Sequence, residues 1–162
     1  MVRRVAGRAA VLSVVAFGFA GCGTTATGDL AATTDVGGVT VRAAWSPVGN
    51  KVVVTLRPDA AGFHVYSLDL PADGIDGIGI PTNVRVGGRL TQTGPARANR
   101  PVRQLHYAAL GIDLPVYPDG TVSISVPVAS RGSTPAVVIV SFAACSDARC
   151  DVPVRDSRLE LT

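Results

Sequence analysis

Glycine or proline recurs every few residues along this chain, with 18 Gly and 11 Pro among 162 residues. In a helix interior glycine costs about 1 kcal/mol and proline about 3 kcal/mol relative to alanine, so no long helical period survives. Between the breaks lie short apolar runs. Residues 39–43 alternate, 51–56 are β-branched and end before Pro58, and 63–68 alternate and end before Pro71. Residues 83–86 precede a Gly-Gly turn at 87–88, and residues 158–161 alternate again. In the run 122–128, Val122, Ile124, Val126 and Val128 fall on one face. Pro127 interrupts that run, which suggests an edge position or a bulge, because proline cannot donate to a ladder. Residues 136–144 are almost continuously apolar, the pattern of a strand covered on both faces. Turn signals at 47–50, at Asp-Gly 73–74 and 76–77, and at Asp-Gly 119–120 separate the runs. Residues 93–103 are polar with three arginines and read as a mobile loop. About seven short strands and no credible helix predict an all-β fold, an immunoglobulin-like antiparallel β-sandwich.

Apolar residues make up 47% of the chain, enough to bury a core. Without Arg3, Arg4 and Arg8 the 15 basic residues fall to 12, equal to the 12 acidic ones. The basic footprint of a nucleic-acid binder is therefore absent. No P-loop, dinucleotide fingerprint or nucleophile elbow occurs, so nothing points to a nucleotide cofactor or a hydrolase, and no cofactor is expected.

Arg3, Arg4 and Arg8 precede an uncharged apolar stretch that ends in Phe19-Ala20-Gly21-Cys22. About a dozen apolar residues are too few to span a hydrocarbon core of about 30 Å. They fit a secretory signal over 1–21, and a Cys directly after Ala-Gly resembles a bacterial lipobox. Cys22 is then the lipidated first residue of the mature protein. Several acyl chains make a stable anchor where one does not, so the expected location is the extracytoplasmic face of the cell membrane. Residues 22–38, rich in Thr, Ala and Gly, read as a flexible tether reaching roughly 20–25 Å. The folded domain is expected over 39–162.

With Cys22 acylated, Cys145 and Cys150 remain as an even pair in a compartment where disulfides form. Closing a six-residue loop stabilises by only about 2 kcal/mol in the chain-entropy model. The pair is thus a weak staple, well placed to open and close without unfolding the domain. Zinc needs four ligands, and only His64 and His106 remain to join the two cysteines, so no metal site is expected. Arg149 favours a Cys150 thiolate while Asp147 and Asp151 oppose it, which leaves the attacked sulfur open. Trp45 reads as packing, and His64, half-buried on a strand, as a structural residue. The residues alone leave two readings, a thiol–disulfide exchange domain and a β-sandwich binding or assembly lipoprotein with a structural disulfide.

Several ordered blocks resemble the N-terminal extracytoplasmic domain of the membrane thiol:disulfide interchange protein DsbD. They are Gly-Phe-His-Val-Tyr at 62–66, Gly-Ile-Pro-Thr at 79–82, Val-Tyr-Pro-Asp-Gly at 116–120 followed by the run 122–128, and Ala144-Cys145 through Cys150 with Pro153 beyond. Together they cover roughly two-thirds of the chain, from Arg57 to Leu161. The resemblance implies an immunoglobulin-like fold and a redox-active pair at Cys145 and Cys150. It implies a relay, possible thiol:disulfide oxidoreductase activity and a setting such as cytochrome c biogenesis, with a membrane thiol reductant and thioredoxin-like proteins as partners. Aligned in this way, His64 and Tyr66 lie near the pair. The stretch 105–111 matches the family's cap loop, which offers Tyr107 or Leu110 as cover. The family's membrane domain is not read in these residues, and the electron donor is expected to be a separate protein.

The mature N-terminus is expected at Cys22, carrying lipid, and mass spectrometry of the membrane-bound protein checks this. An unmodified N-terminus at any other residue excludes the anchor.

Overall fold

The computed structural model describes residues 29–108 and 110–162. The signal over 1–21, Cys22 and the first part of the tether lie outside the described residues. Within them every regular element is a strand, and every strand pairing is antiparallel. The larger sheet runs β1 (Leu30–Val36), β2 (Val39–Ser46), β3 (Lys51–Pro58), β10 (Val122–Ser130), β6 (Leu90–Gln92), with β7 (Arg97–Ala98) also on β10. A second sheet places β11 (Ala136–Phe142) between β13 (Val154–Leu161) and β5 (Asn83–Gly88). Two small pairs complete the fold, β4 (His64–Val65) with β12 (Ala144–Cys145), and β8 (Arg103–Tyr107) with β9 (Ile112–Val116).

The two sheets pack as the expected sandwich, because strand alternation puts one row of each strand into a shared core. Val52, Val54 and Leu56 of β3 and Val122, Ile124 and Val126 of β10 are wholly buried there. They belong to one apolar cluster with Val138 and Val140 of β11 and Leu159 of β13. At about 1.5–3 kcal/mol for each large aliphatic side chain removed from water, this seam is the main source of stability. A second, smaller cluster gathers Tyr66, Ile112, Leu114, Val116, Ala143 and Cys145 where β11 runs on into β12.

The structure corrects three expectations. The tether does not extend to residue 38, because residues 30–36 form β1, an edge strand paired along its whole length with β2. Its small, partly polar residues gave no apolar period. The missed signal was Gly37-Gly38, whose φ values of 57° and 68° make the two-residue turn of a hairpin. The folded domain thus begins at Leu30, not Val39. Residues 93–103, expected as a mobile loop, contain β7, which pairs Ala98 with Ile124, while the Asn99 side chain accepts the Ser123 N–H at 2.8 Å. Pro127 lies inside the larger sheet, not at an edge, paired with Lys51 of β3. The N–H of Val128 bonds toward β3, and the Pro127 carbonyl accepts from Thr93 on the other flank. The missing Pro127 N–H therefore points at the break between β6 and β7, where no ladder bond is lost.

The β1–β2 turn also touches the segment that follows Cys150. A Cβ on Gly38 would overlap the Asp151 carboxylate, and one on Gly37 would lie 2.8 Å from the Val152 carbonyl oxygen. Gly38→Ala is expected to destabilise the domain by about 1–3 kcal/mol, from its left-handed φ and this overlap. Denaturant midpoints of the two proteins measure the loss, and an unchanged midpoint would show that the turn relaxes freely.

Candidate functional site

Cys145 reaches its place through the end of the second sheet. β11 shifts register against β13 between Val140 and Phe142, and the chain then leaves that sheet to pair with β4. This pairing sets Cys145 directly opposite His64, and Ala144 opposite Val65. A tight reversal follows. Ser146 N–H donates to the Arg149 carbonyl at 2.7 Å, and Asp151 N–H to the Ala144 carbonyl at 2.9 Å. The Ser146 hydroxyl oxygen accepts from the N–H groups of Ala148 and Arg149, the local bonding that makes serine a turn residue. Cys145 and Cys150 are bridge partners with Cα atoms 4.0 Å apart, and their sulfurs form a disulfide. Backbone hydrogen bonds close this loop alongside the sulfur–sulfur bond.

The two sulfurs have different surroundings. Cys145 is 1% exposed and belongs to the smaller apolar cluster, whereas Cys150 is exposed. The Tyr66 hydroxyl lies 3.6 Å from Cys145 Sγ. A disulfide sulfur has no proton, so the phenol is the donor. Burial first, then the neighbouring Tyr107, push the Tyr66 pKa up to about 12, which keeps that proton in place at any physiological pH. Arg149 is divided between the Phe63 ring, 4.9 Å below its guanidinium, and Asp151 at 3.3 Å.

His64 is wholly buried, with its ring 6.4 Å from that of Tyr66 and nearly perpendicular to it. Its Nδ1 lies 3.4 Å from Asp119 Oδ1, a contact not aligned as a hydrogen bond, and neither ring nitrogen has a hydrogen-bond partner. Asp119 is itself bound by Arg103 at 2.9 Å. Burial, reinforced by Arg103, draws the His64 pKa below 6.5, against the opposing pull of Asp119 and Asp147. The imidazole is therefore neutral at neutral pH.

Tyr107 is half-buried against the smaller cluster, but Leu110 is 55% exposed at the β8–β9 turn and is not among the side chains packed on that cluster. His106 is bonded to its cross-strand neighbour Asp113 at 2.8 Å on an exposed face. Trp45 is 5% exposed in the main core under the Arg89 guanidinium. Among the described residues no group of three His, Cys, Asp or Glu side chains gathers to hold a metal.

A cleft of about 440 Å³ opens beside the disulfide. Tyr66, Ala143 and both cysteines line one side, and the loop carrying Ile78 and Ile80 lines the other. Asp73 and Arg155 supply opposite charges at its rim. The loop is closed by mutual backbone bonds between Ile75 and Ile78, with positive φ at Asp76 and Gly77. The Asp-Gly step at 76–77 signalled that turn, but nothing in the sequence placed it against the cysteines. Asp119 and Arg103 were likewise missed as neighbours of His64, since 39 residues separate Arg103 from His64 and only the β8–β9 hairpin brings them together.

No family model matches the chain, and no curated protein matches it. Among solved structures it is similar to the crystal structure of the reduced N-terminal domain of DsbD from Neisseria meningitidis. The identity is 13% and the TM-score 0.45, over 77% of this chain and 91% of that chain.

The buried neutral His64 sets an acid limit on stability. Its folded pKa lies below the unfolded value, so its contribution is present above about pH 6.5 and is lost as pH falls. The loss approaches about 1.4 kcal/mol per pH unit below that point. Denaturant midpoints at pH 7.5 and pH 5 are expected to differ less in His64→Gln than in the parent. An equal difference would remove His64 as the source.

Proposed function

We propose that this chain is an extracytoplasmic thiol–disulfide relay module, held at the cell membrane by lipid on Cys22, that passes reducing equivalents through Cys145 and Cys150. The observation that carries this reading is the unequal exposure of the two sulfurs. Cys150 is open to a partner beside a cleft, and Cys145 lies beneath it against the Tyr66 hydroxyl. An incoming thiolate attacks Cys150 Sγ, the sulfur–sulfur bond breaks, and the electron pair leaves on Cys145 Sγ. A hydroxyl that donates to the leaving sulfur favours its thiolate, offsetting part of the penalty that burial imposes. The mixed disulfide on Cys150 is then resolved by the partner's second thiol, leaving Cys145 and Cys150 reduced. Reversal of the same steps passes the electrons on.

The loop supports reversibility. Its backbone bonds and the β4–β12 pairing hold both cysteines whether or not the sulfurs are joined. Opening the disulfide removes only about 2 kcal/mol of unfolded-state constraint, so the sandwich stays folded through the cycle. A permanent staple would gain more by closing a longer loop. Thioredoxin-like proteins and a membrane thiol reductant, the partners implied by the motif resemblance, carry the complementary dithiols.

Single substitutions separate the two sulfurs. Cys145→Ser leaves the exposed Cys150 and is expected to trap mixed disulfides with thioredoxin-type dithiol proteins. Cys150→Ser leaves only the covered sulfur and is expected to trap far less. Non-reducing electrophoresis followed by mass spectrometry reads both. If neither variant traps a thiol partner, and the pair resists reduction even below about −300 mV, the disulfide is structural and the chain is a binding module.

A further inference from the structure

His64 has no part in the exchange steps above, yet it occupies a costly position. Among the described residues, three buried side-chain nitrogen or oxygen atoms lack a hydrogen-bond partner, and two of them are the ring nitrogens of His64. Burying such groups unpaired is unfavourable, and an apolar ring would fill the same space without that cost. The imidazole is wholly buried and stands in register with Cys145, two residues before Tyr66. Directly opposed residues of an antiparallel pair have Cβ atoms roughly 5 Å apart on one face of the sheet. A charge that appears on Cys145 is therefore felt strongly at His64.

We propose that His64 is the proton-accepting partner of Cys145, neutral while the disulfide is closed and an imidazolium when it opens. The inference rests on the exchange reading above. When a thiol attacks, its sulfur bonds to Cys150 Sγ, the Cys145–Cys150 bond breaks, and the electron pair goes to Cys145 Sγ. The attacking thiol gives up its proton to solvent as it becomes a thiolate, and His64 Nε2 takes up one proton from solvent as Cys145 becomes charged. Nδ1, which faces Asp119, keeps its own proton. The products are the mixed disulfide at Cys150, a thiolate at Cys145 and a protonated His64, so charge and atoms balance with no reagent beyond the thiol.

The surrounding charges favour this two-state behaviour. Arg103 at the start of β8 and Asp119 after β9 face His64 and are paired with each other at 2.9 Å. Asp147, from the cysteine loop, is the other carboxylate that acts on it, and Tyr66, two residues on, remains neutral. With the disulfide closed these charges are balanced and burial keeps the ring neutral. Opening adds one negative charge directly across the strand pair. A buried imidazolium beside a buried thiolate costs less than either ion alone. By lowering the affinity of the leaving sulfur for a proton, the pairing speeds opening, since a thiol of lower pKa leaves faster. His64 is thus a positioning residue for the exchange: it acts through Cys145 and does not touch the attacking thiol.

The test compares histidine titrations by NMR in the full chain, oxidised and then reduced with dithiothreitol. The chain has two histidines, and the exposed His106 serves as the internal control. The His64 midpoint is expected to rise by at least one pH unit on reduction. Identical His64 curves in the two states overturn the proposal without any variant being made. A second measurement follows thiolate ultraviolet absorbance of Cys145 against pH in Cys22→Ser/Cys150→Ala, with and without His64→Gln. Thiolate is expected to persist to about tenfold higher proton concentration when His64 is present, and coincident curves overturn the proposal. Exchange with thiols but no change in His64 sinks this inference and leaves the relay standing. A shifted His64 in a protein whose disulfide no thiol opens would do the reverse.

Discussion

The pairing of β12 with β4 is the contact on which the site depends. β11 is held on both sides, by β13 and by β5, and its aliphatic row is locked into the main core. After the register shift at Val140 and Phe142 the chain cannot continue in that sheet, and it turns to β4 instead. That step carries Cys145 out of the main core and into the smaller cluster, opposite His64. A cysteine on a free loop would wander. This one is placed by a rigid sheet behind it and a tight reversal in front, which carries Cys150 back to meet it.

The environment of the pair is an asymmetry of burial. One sulfur is covered and receives a phenolic hydrogen bond, and the other faces a cleft. Both titratable neighbours at 64 and 66 are kept neutral by desolvation, His64 by a lowered pKa and Tyr66 by a raised one. The closed site therefore holds no unpaired buried charge. Asp119 meets Arg103, and Arg149 meets Asp151 and the Phe63 ring. Any charge created at Cys145 on opening is the dominant local field, and the polar groups already in place are what respond to it.

The fold also separates stability from chemistry. The valine-rich seam between the two sheets supplies the main stabilisation, whereas Cys145 belongs to the separate, smaller cluster. The β1–β2 turn reaches across to the segment after Cys150, where Gly37 and Gly38 leave room for Asp151 and Val152. The β1–β2 hairpin thus abuts the chain beside the exposed Cys150. Small residues at that contact let two backbones approach closely, which side chains at either position would prevent.

The sequence by itself determined the class of the fold. Gly and Pro spacing excluded helices, and the runs over 39–43, 51–56 and 122–128 became β2, β3 and β10, with Val122, Ile124, Val126 and Val128 on one buried face as expected. It also singled out Cys145 and Cys150, because their number, spacing and position after an apolar strand are local facts. It did not reveal β1, β8 or β9, whose short, mixed or proline-bearing stretches carry little apolar period. Only the tertiary structure decided which sulfur is covered, that Tyr66 donates to it, that His64 is buried unpaired beside Asp119, and that the 72–80 loop walls a cleft. Those facts depend on residues far apart in the chain meeting in space, and strand registry, unlike strand propensity, is set by how the whole core packs.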